Sequence, residues 1–107
     1  MIGFGRMGYQ QPIHALPNEE APGFFAHVPF RCRIVRVMRR PEIAYALTFA
    51  PPSTCALLEG FFMHCKPSEM VPLGLGDLVP EGAVVRILFT DDYDSDVLPM
   101  ILVEHVG

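Results

Sequence analysis

"FRCRIVRVMRRPEIAYALTFA", residues 30–50, decides the fold class. Phe30, Cys32 and Ile34 alternate with Arg31 and Arg33, and a period of two is the mark of a β-strand with one apolar face. The phase then slips. Val35 and Val37 fall on the arginine face, which predicts a β-bulge, one extra residue that shifts the faces. Pro41 cannot donate to a sheet ladder and marks a turn. Beyond it, Ile43, Tyr45, Leu47 and Phe49 alternate with Ala44, Ala46, Thr48 and Ala50. The small side chains of that second face admit another layer of chain and predict a central strand.

Downstream, "PPST" breaks this strand. In "CALLEGFFMHC", residues 55–65, Ser53 or Thr54 can cap a helix, which predicts a short helical turn over 55–59. A strand follows, with Phe61, Met63 and Cys65 alternating with Phe62 and His64. Residues 66–82, with three prolines, read as a connecting loop. "AVVRILFT" (83–90) and "VLPMILVEHV" (97–106) read as two apolar strands joined by a polar hairpin tip, with Pro99 suited to an edge or a bulge. The predicted fold is mainly β: a small antiparallel barrel or sandwich of about five strands.

Upstream, residues 1–29 contain four glycines and four prolines and show neither helical nor alternating periodicity. They are nevertheless rich in large apolar residues, unlike a disordered tail. This predicts an extended N-terminal arm (1–29) that lies on a neighbour, followed by a β-rich domain (30–107). Phe4, Tyr9, Ile13, Phe24 and Phe25 are the expected anchors.

The 107 residues suit one domain. Half are hydrophobic and only 19% are charged, below the usual quarter, which points to apolar surface covered by a partner. The net charge of −4 argues against general nucleic-acid affinity. No apolar run reaches membrane-spanning length, and the start lacks the basic-then-apolar order of a secretory signal. Cys32, Cys55 and Cys65 lack C-x-x-C spacing and read as reduced core thiols.

Two charge clusters stand out. Arg31, Arg33, Arg36, Arg39 and Arg40 are five of the eight basic residues. No aromatic residue interleaves with them, as a nucleic-acid platform would require. Asp91, Asp92, Asp94 and Asp96 crowd the loop before the last strand. Asp92-x-Asp94-x-Asp96 opens like a calcium loop of the EF-hand kind. Such a loop needs glycine at its sixth position and glutamate at its twelfth, and these are Val97 and Val103. Arg31 and Arg33 together with Asp92, Asp94 and Asp96 are therefore expected to tune protein contacts, within the chain or across a heterologous interface. His64 and Cys65, with Cys32, Cys55 and His105, lack paired zinc-ligand spacing. No nucleophile elbow, phosphate loop or acid pair is present, so the chain reads as a non-enzyme without cofactor or metal.

"LGDLVPEGAVVRILFT", residues 75–90, resembles small β-rich bacteriophage virion proteins, in which a Pro-x-Gly turn feeds a Val/Ile strand. The resemblance implies a capsid decoration or head–tail protein in the virion, assembled in the host cytoplasm. Its partners would be the major capsid subunit or copies of itself. The acidic loop also admits a small inhibitor or adaptor that binds a host protein, and the arm an accessory subunit of a cellular complex.

Overall fold

Alternation at 32–38 and 45–50 does form strands, and what they pair with builds the molecule. The computed structural model describes residues 8–18, 21–50, 55–58, 62–65, 70–94 and 96–106. Among them are β1 (Gln10–His14), β2 (Leu16–Asn18), β3 (Ala21–His27), β4 (Cys32–Met38), β5 (Tyr45–Ala50), β6 (Cys55–Leu58), β7 (Phe62–Cys65), β8 (Val71–Pro72), β9 (Leu78–Val79), β10 (Val84–Phe89) and β11 (Met100–His105). No helix occurs among the described residues, and so none long and apolar enough to cross a membrane.

The strands form two antiparallel sheets in a sandwich-like arrangement, of order β1–β11–β4–β9 and β2–β3–β10–β5–β8, with β6–β7 as a separate two-stranded sheet. The inner faces supply the core. Ile34, Val79, Ile101 and Val103 from the first sheet meet Ala26, Leu47, Val85 and Ile87 from the second. Burial of apolar surface of this kind stabilises at about 25 cal/mol per Å² removed from water.

The phase slip in β4 is a bulge, as expected: Leu102 pairs with Arg36 but Val103 pairs with Ile34, which leaves Val35 as the extra residue. The shift keeps Ile34 and Val37 both buried while Arg33 and Arg36 face outward. The Pro-x-Gly turn is also present. Gly82, at φ 86°, occupies the position of a Pro80–Ala83 turn that demands a left-handed backbone, and the Ala83 N–H donates to Pro80 O at 3.2 Å.

Several expectations are corrected. Gln10–His14, Leu16–Asn18 and Ala21–His27 are not an arm but strands: β1 pairs with β11, and β3 pairs with β10 and β2. Their periodicity is hidden because the chain changes sheet at the buried Ala15, whose N–H donates to Pro99 O at 2.9 Å, and kinks at Gly23 (φ 110°). Residues 1–7 lie outside the described residues. Residues 55–58 are strand rather than a helical turn, because pairing with 62–65 satisfies the backbone that a cap would otherwise serve. Residues 71–72 and 78–79, read as loop, are short edge strands. Strands β10 and β11 do not form a hairpin; they lie in different sheets, and the connection between Phe89 and Met100 is too long for a tight turn.

The alanine face of β5 divides in two. Ala50 is fully buried beside Val84, whereas Ala46 is exposed beside Leu88. Only half of that face receives the second layer expected of it.

Each lateral edge of the sandwich is one continuous segment that switches sheets. Residues 10–18 form one edge as β1 and β2, and residues 71–79 form the other as β8 and β9.

Candidate protein-interaction surfaces

The ends of β4 and β11 define two ends of the molecule, about 20 Å apart at roughly 3.3 Å per residue. At one end Cys32 pairs with His105, and at the other Met38 pairs with Met100.

At the Cys32 end the aromatic residues close on one another. His105 stacks on Phe30 with ring centroids 3.6 Å apart, and Tyr9 meets the same imidazole edge-on at 5.0 Å. His105 Nε2 lies 3.3 Å from Gln11 Oε1. Arg33 is engaged twice: its Nε donates to Gly76 O at 3.0 Å, and its Nη1 lies 3.6 Å from Glu104 Oε1. Cys32 is fully buried, and burial pushes its thiol up to about 11. That suits an inert core thiol rather than a nucleophile. Arg31 at this end is exposed.

At the Met38 end the arginines and aspartates approach each other without pairing. Arg39 is spent on the backbone of its own turn: Nε donates to Ile43 O at 2.8 Å and Nη1 to Val37 O at 3.2 Å, with the guanidinium 4.8 Å from the Tyr45 ring centre. The Arg40 backbone N–H donates to Tyr93 Oη at 2.8 Å, which ties the aspartate loop to the β4–β5 turn. Arg40, Pro41, Asp94, Asp96 and Val97 line an open cleft of about 450 Å³. Asp91, Asp92, Asp94 and Asp96 are all exposed. Among the described residues no three His, Cys, Asp or Glu side chains converge in a way that could hold a metal ion. The aspartates are spread along a crossover, not wrapped around a point.

A second cleft of about 180 Å³ opens beside this loop, with Phe24, Leu88, Phe89 and Tyr93 as its apolar lining and Asp91 and Asp92 as its acidic one. Phe89 and Tyr93 are stacked, 4.1 Å apart and inclined by 8°, and Phe24 meets both edge-on at 5.7 and 5.5 Å.

The predicted interface residues therefore separate. Tyr9 is 56% exposed. Ile13 is half-buried and packs on the core. Phe24 lines the aromatic cleft. Phe25 is corrected as an anchor: it is buried in its own domain, with the Arg86 guanidinium 5.8 Å from its ring centre. Phe4 lies outside the described residues. Arg31 and Arg33 sit at the end opposite Asp92, Asp94 and Asp96, so within one chain they are not partners. Arg39 and Arg40 are the arginines that neighbour the loop.

Sequence reasoning missed two sets of residues. One is the exposed apolar side chains along the lateral edges, Leu16 on one, Val71, Leu75 and Leu78 on the other, each between 44% and 54% exposed. Proline-broken segments gave no strand signal there. The other is Tyr93, whose signal was in view: a single aromatic within a run of aspartates. Comparison with family models, curated proteins and solved structures finds no match to this chain.

Proposed function

We propose that the protein is a non-catalytic structural subunit that binds neighbouring subunits of a larger assembly, of the kind that decorates a virion shell or joins its head to its tail. The observation that carries the reading is the pair of apolar lateral edges. Leu16 is 45% exposed on one, and Leu75 and Leu78 are 54% and 44% exposed on the other. Exposed large apolar residues on opposite sides of a small domain suit contacts with two neighbours.

The edges are also blunted against simple strand addition. Pro12 and Pro17 interrupt β1 and β2, and Pro72 ends β8. Proline removes a ladder donor, so neighbours would be held by side chains rather than by an extended sheet. The non-catalytic part of the reading rests on the sequence, which carries none of the nucleophile, phosphate-loop or acid-pair arrangements sought in it.

Native mass of the particle or complex in which the full chain is recovered tests the reading. The expected result is a multi-copy assembly that Leu16→Asp and the pair Leu75→Asp, Leu78→Asp each weaken while the melting temperature holds. A free monomer under all conditions, or assembly indifferent to all three changes, would overturn it.

A further inference from the structure

The aromatic cleft at the Met38 end and the outer face of the first sheet are complementary surfaces of one chain. We infer that the cleft lined by Phe24, Phe89, Tyr93, Asp91 and Asp92 takes the Arg36 side chain of a second copy. The inference rests on the reading of the chain as an assembly subunit and names a partner for a site separate from the lateral edges.

The cleft's chemistry favours a flat cation. Its aromatic rings carry negative quadrupole faces, and its acidic lining adds two carboxylates. Among the described residues no cation lines it. Arg86, the nearest in sequence, is already engaged behind the cleft wall, with Nε donating to Pro22 O at 2.9 Å and the guanidinium 5.8 Å from the Phe25 ring centre. Guanidinium is planar and weakly hydrated, stacks on rings and engages carboxylates with its fork of donors, which an ammonium does less well. The volume of about 180 Å³ suits one side-chain end rather than a peptide segment.

The donor follows from elimination among the arginines of the described residues. Arg33 is held by Glu104 and Gly76, and Arg39 by its turn. Arg40 belongs to the same end as the cleft. Arg31 and Arg36 are exposed and have no partner among the described residues. Only Arg36 stands on an apolar platform. A row across the first sheet runs Pro12, Leu102, Arg36, and the next runs His14, Met100, Met38. Leu102, Met100 and Met38 alternate with the buried Ile101, Val103 and Val37, so they face outward and remain half-exposed. An arginine rising from a Met- and Leu-rich surface has the composition of an interface anchor. On the other side of the contact, Leu88 in the cleft's lining is exposed and available to cover that platform. The two patches differ, so the contact is heterologous and propagates from copy to copy.

A complementation experiment on the full chain tests this. Wild-type protein should associate with rising concentration in sedimentation or native mass measurements. Arg36→Glu alone, and Asp91→Asn with Asp92→Asn alone, should each associate at least about tenfold more weakly. Both changes are at exposed positions, and an unchanged melting temperature shows that the fold is intact. An equimolar mixture of the two variants should recover association that neither shows alone, because one supplies the arginine and the other the cleft. A wild type that stays monomeric, a variant that assembles like wild type, or a mixture that stays monomeric would each overturn the inference. Assembly lost with the edge changes at Leu16, Leu75 and Leu78 but kept in both cleft variants would sink the cleft and leave the structural-subunit reading standing.

Discussion

The two ends of the sandwich are built from the same residue types and use them in opposite ways. At the Cys32 end, arginine faces glutamate, and three rings, Phe30, His105 and Tyr9, close on one another. At the Met38 end, Arg39 bonds carbonyl oxygens of its own turn, while the aspartates of the next loop remain in water. Rings gather there too, but Phe24, Phe89 and Tyr93 leave a cleft beside them. The difference teaches that a basic run and an acidic run in one sequence do not identify each other as partners. Register decides: β11 brings Glu104 beside Arg33, whereas residues 90–99 swing past Arg39 and Arg40 on their way between sheets.

The largest expected break in this contrast is at Gly23, in the wall of the open end. Its φ is 110°, and a Cβ there would lie 3.0 Å from Ile87 O and 3.1 Å from Arg86 Nε. Gly23→Ala should cost about 2 kcal/mol in denaturant unfolding, since both the backbone and its neighbour oppose it. An unchanged midpoint would mean that the end is looser than its geometry.

The closed end should show itself next in alkaline solution. Burial raises the Cys32 thiol from 9.0 to about 11, so the folded state favours the protonated form. The associated stability is complete below about pH 9 and disappears as pH rises through about 11. Cys32→Ala should flatten the alkaline slope of stability against pH; the same slope in both proteins would count against a buried thiol.

A smaller loss, about 1 kcal/mol, is expected from Tyr93→Phe, which removes the acceptor of the Arg40 N–H and the latch between the aspartate loop and the β4–β5 turn. Hydrogen exchange at Arg40 should accelerate, and an unaltered rate would show that water already serves that amide. Smaller again is the Arg33–Glu104 pair. At 3.6 Å and with side chains 39% and 28% exposed, its coupling in a double-mutant cycle should be about 0.5 kcal/mol or less.

Least of all, replacing the four aspartates by asparagine should move stability by no more than about 0.5 kcal/mol, as exposed positions without structural partners behave. Calcium should leave the melting temperature where it is, since no three potential ligands converge among the described residues. A calcium-dependent rise would make the open end a cation site after all.

Strand positions were legible where one face is buried and the other wet. Cys32–Met38 and Tyr45–Ala50 carry that alternation, the slip at Val35 even locates the bulge, and Val84–Phe89 shows instead as a short apolar run. The strands within 10–27 were illegible for a physical reason: the edge strands β1 and β2 are interrupted by Pro12 and Pro17 and the interior strand β3 by Gly23, so too few side chains are buried in regular order to leave a period. The site was less legible still. Asp91 and Asp92 were conspicuous, but the rings that give them a cleft come from β3, β10 and the crossover loop, and no local pattern links Phe24 to Phe89.

What the sequence by itself determined is the local geometry: extended backbone wherever apolar and polar residues alternate, a bulge where the phase slips, and a turn at Pro80–Gly82. What only the tertiary structure decided is which strand lies beside which. Backbone hydrogen bonds are alike for every pair of strands, so they cannot choose partners. The choice is made by the fit of inner faces from distant segments, and it placed the successive strands β10 and β11 in different sheets, drew β1, β2 and β3 into both, and set Arg31 and Arg33 at the end of the molecule opposite the aspartates.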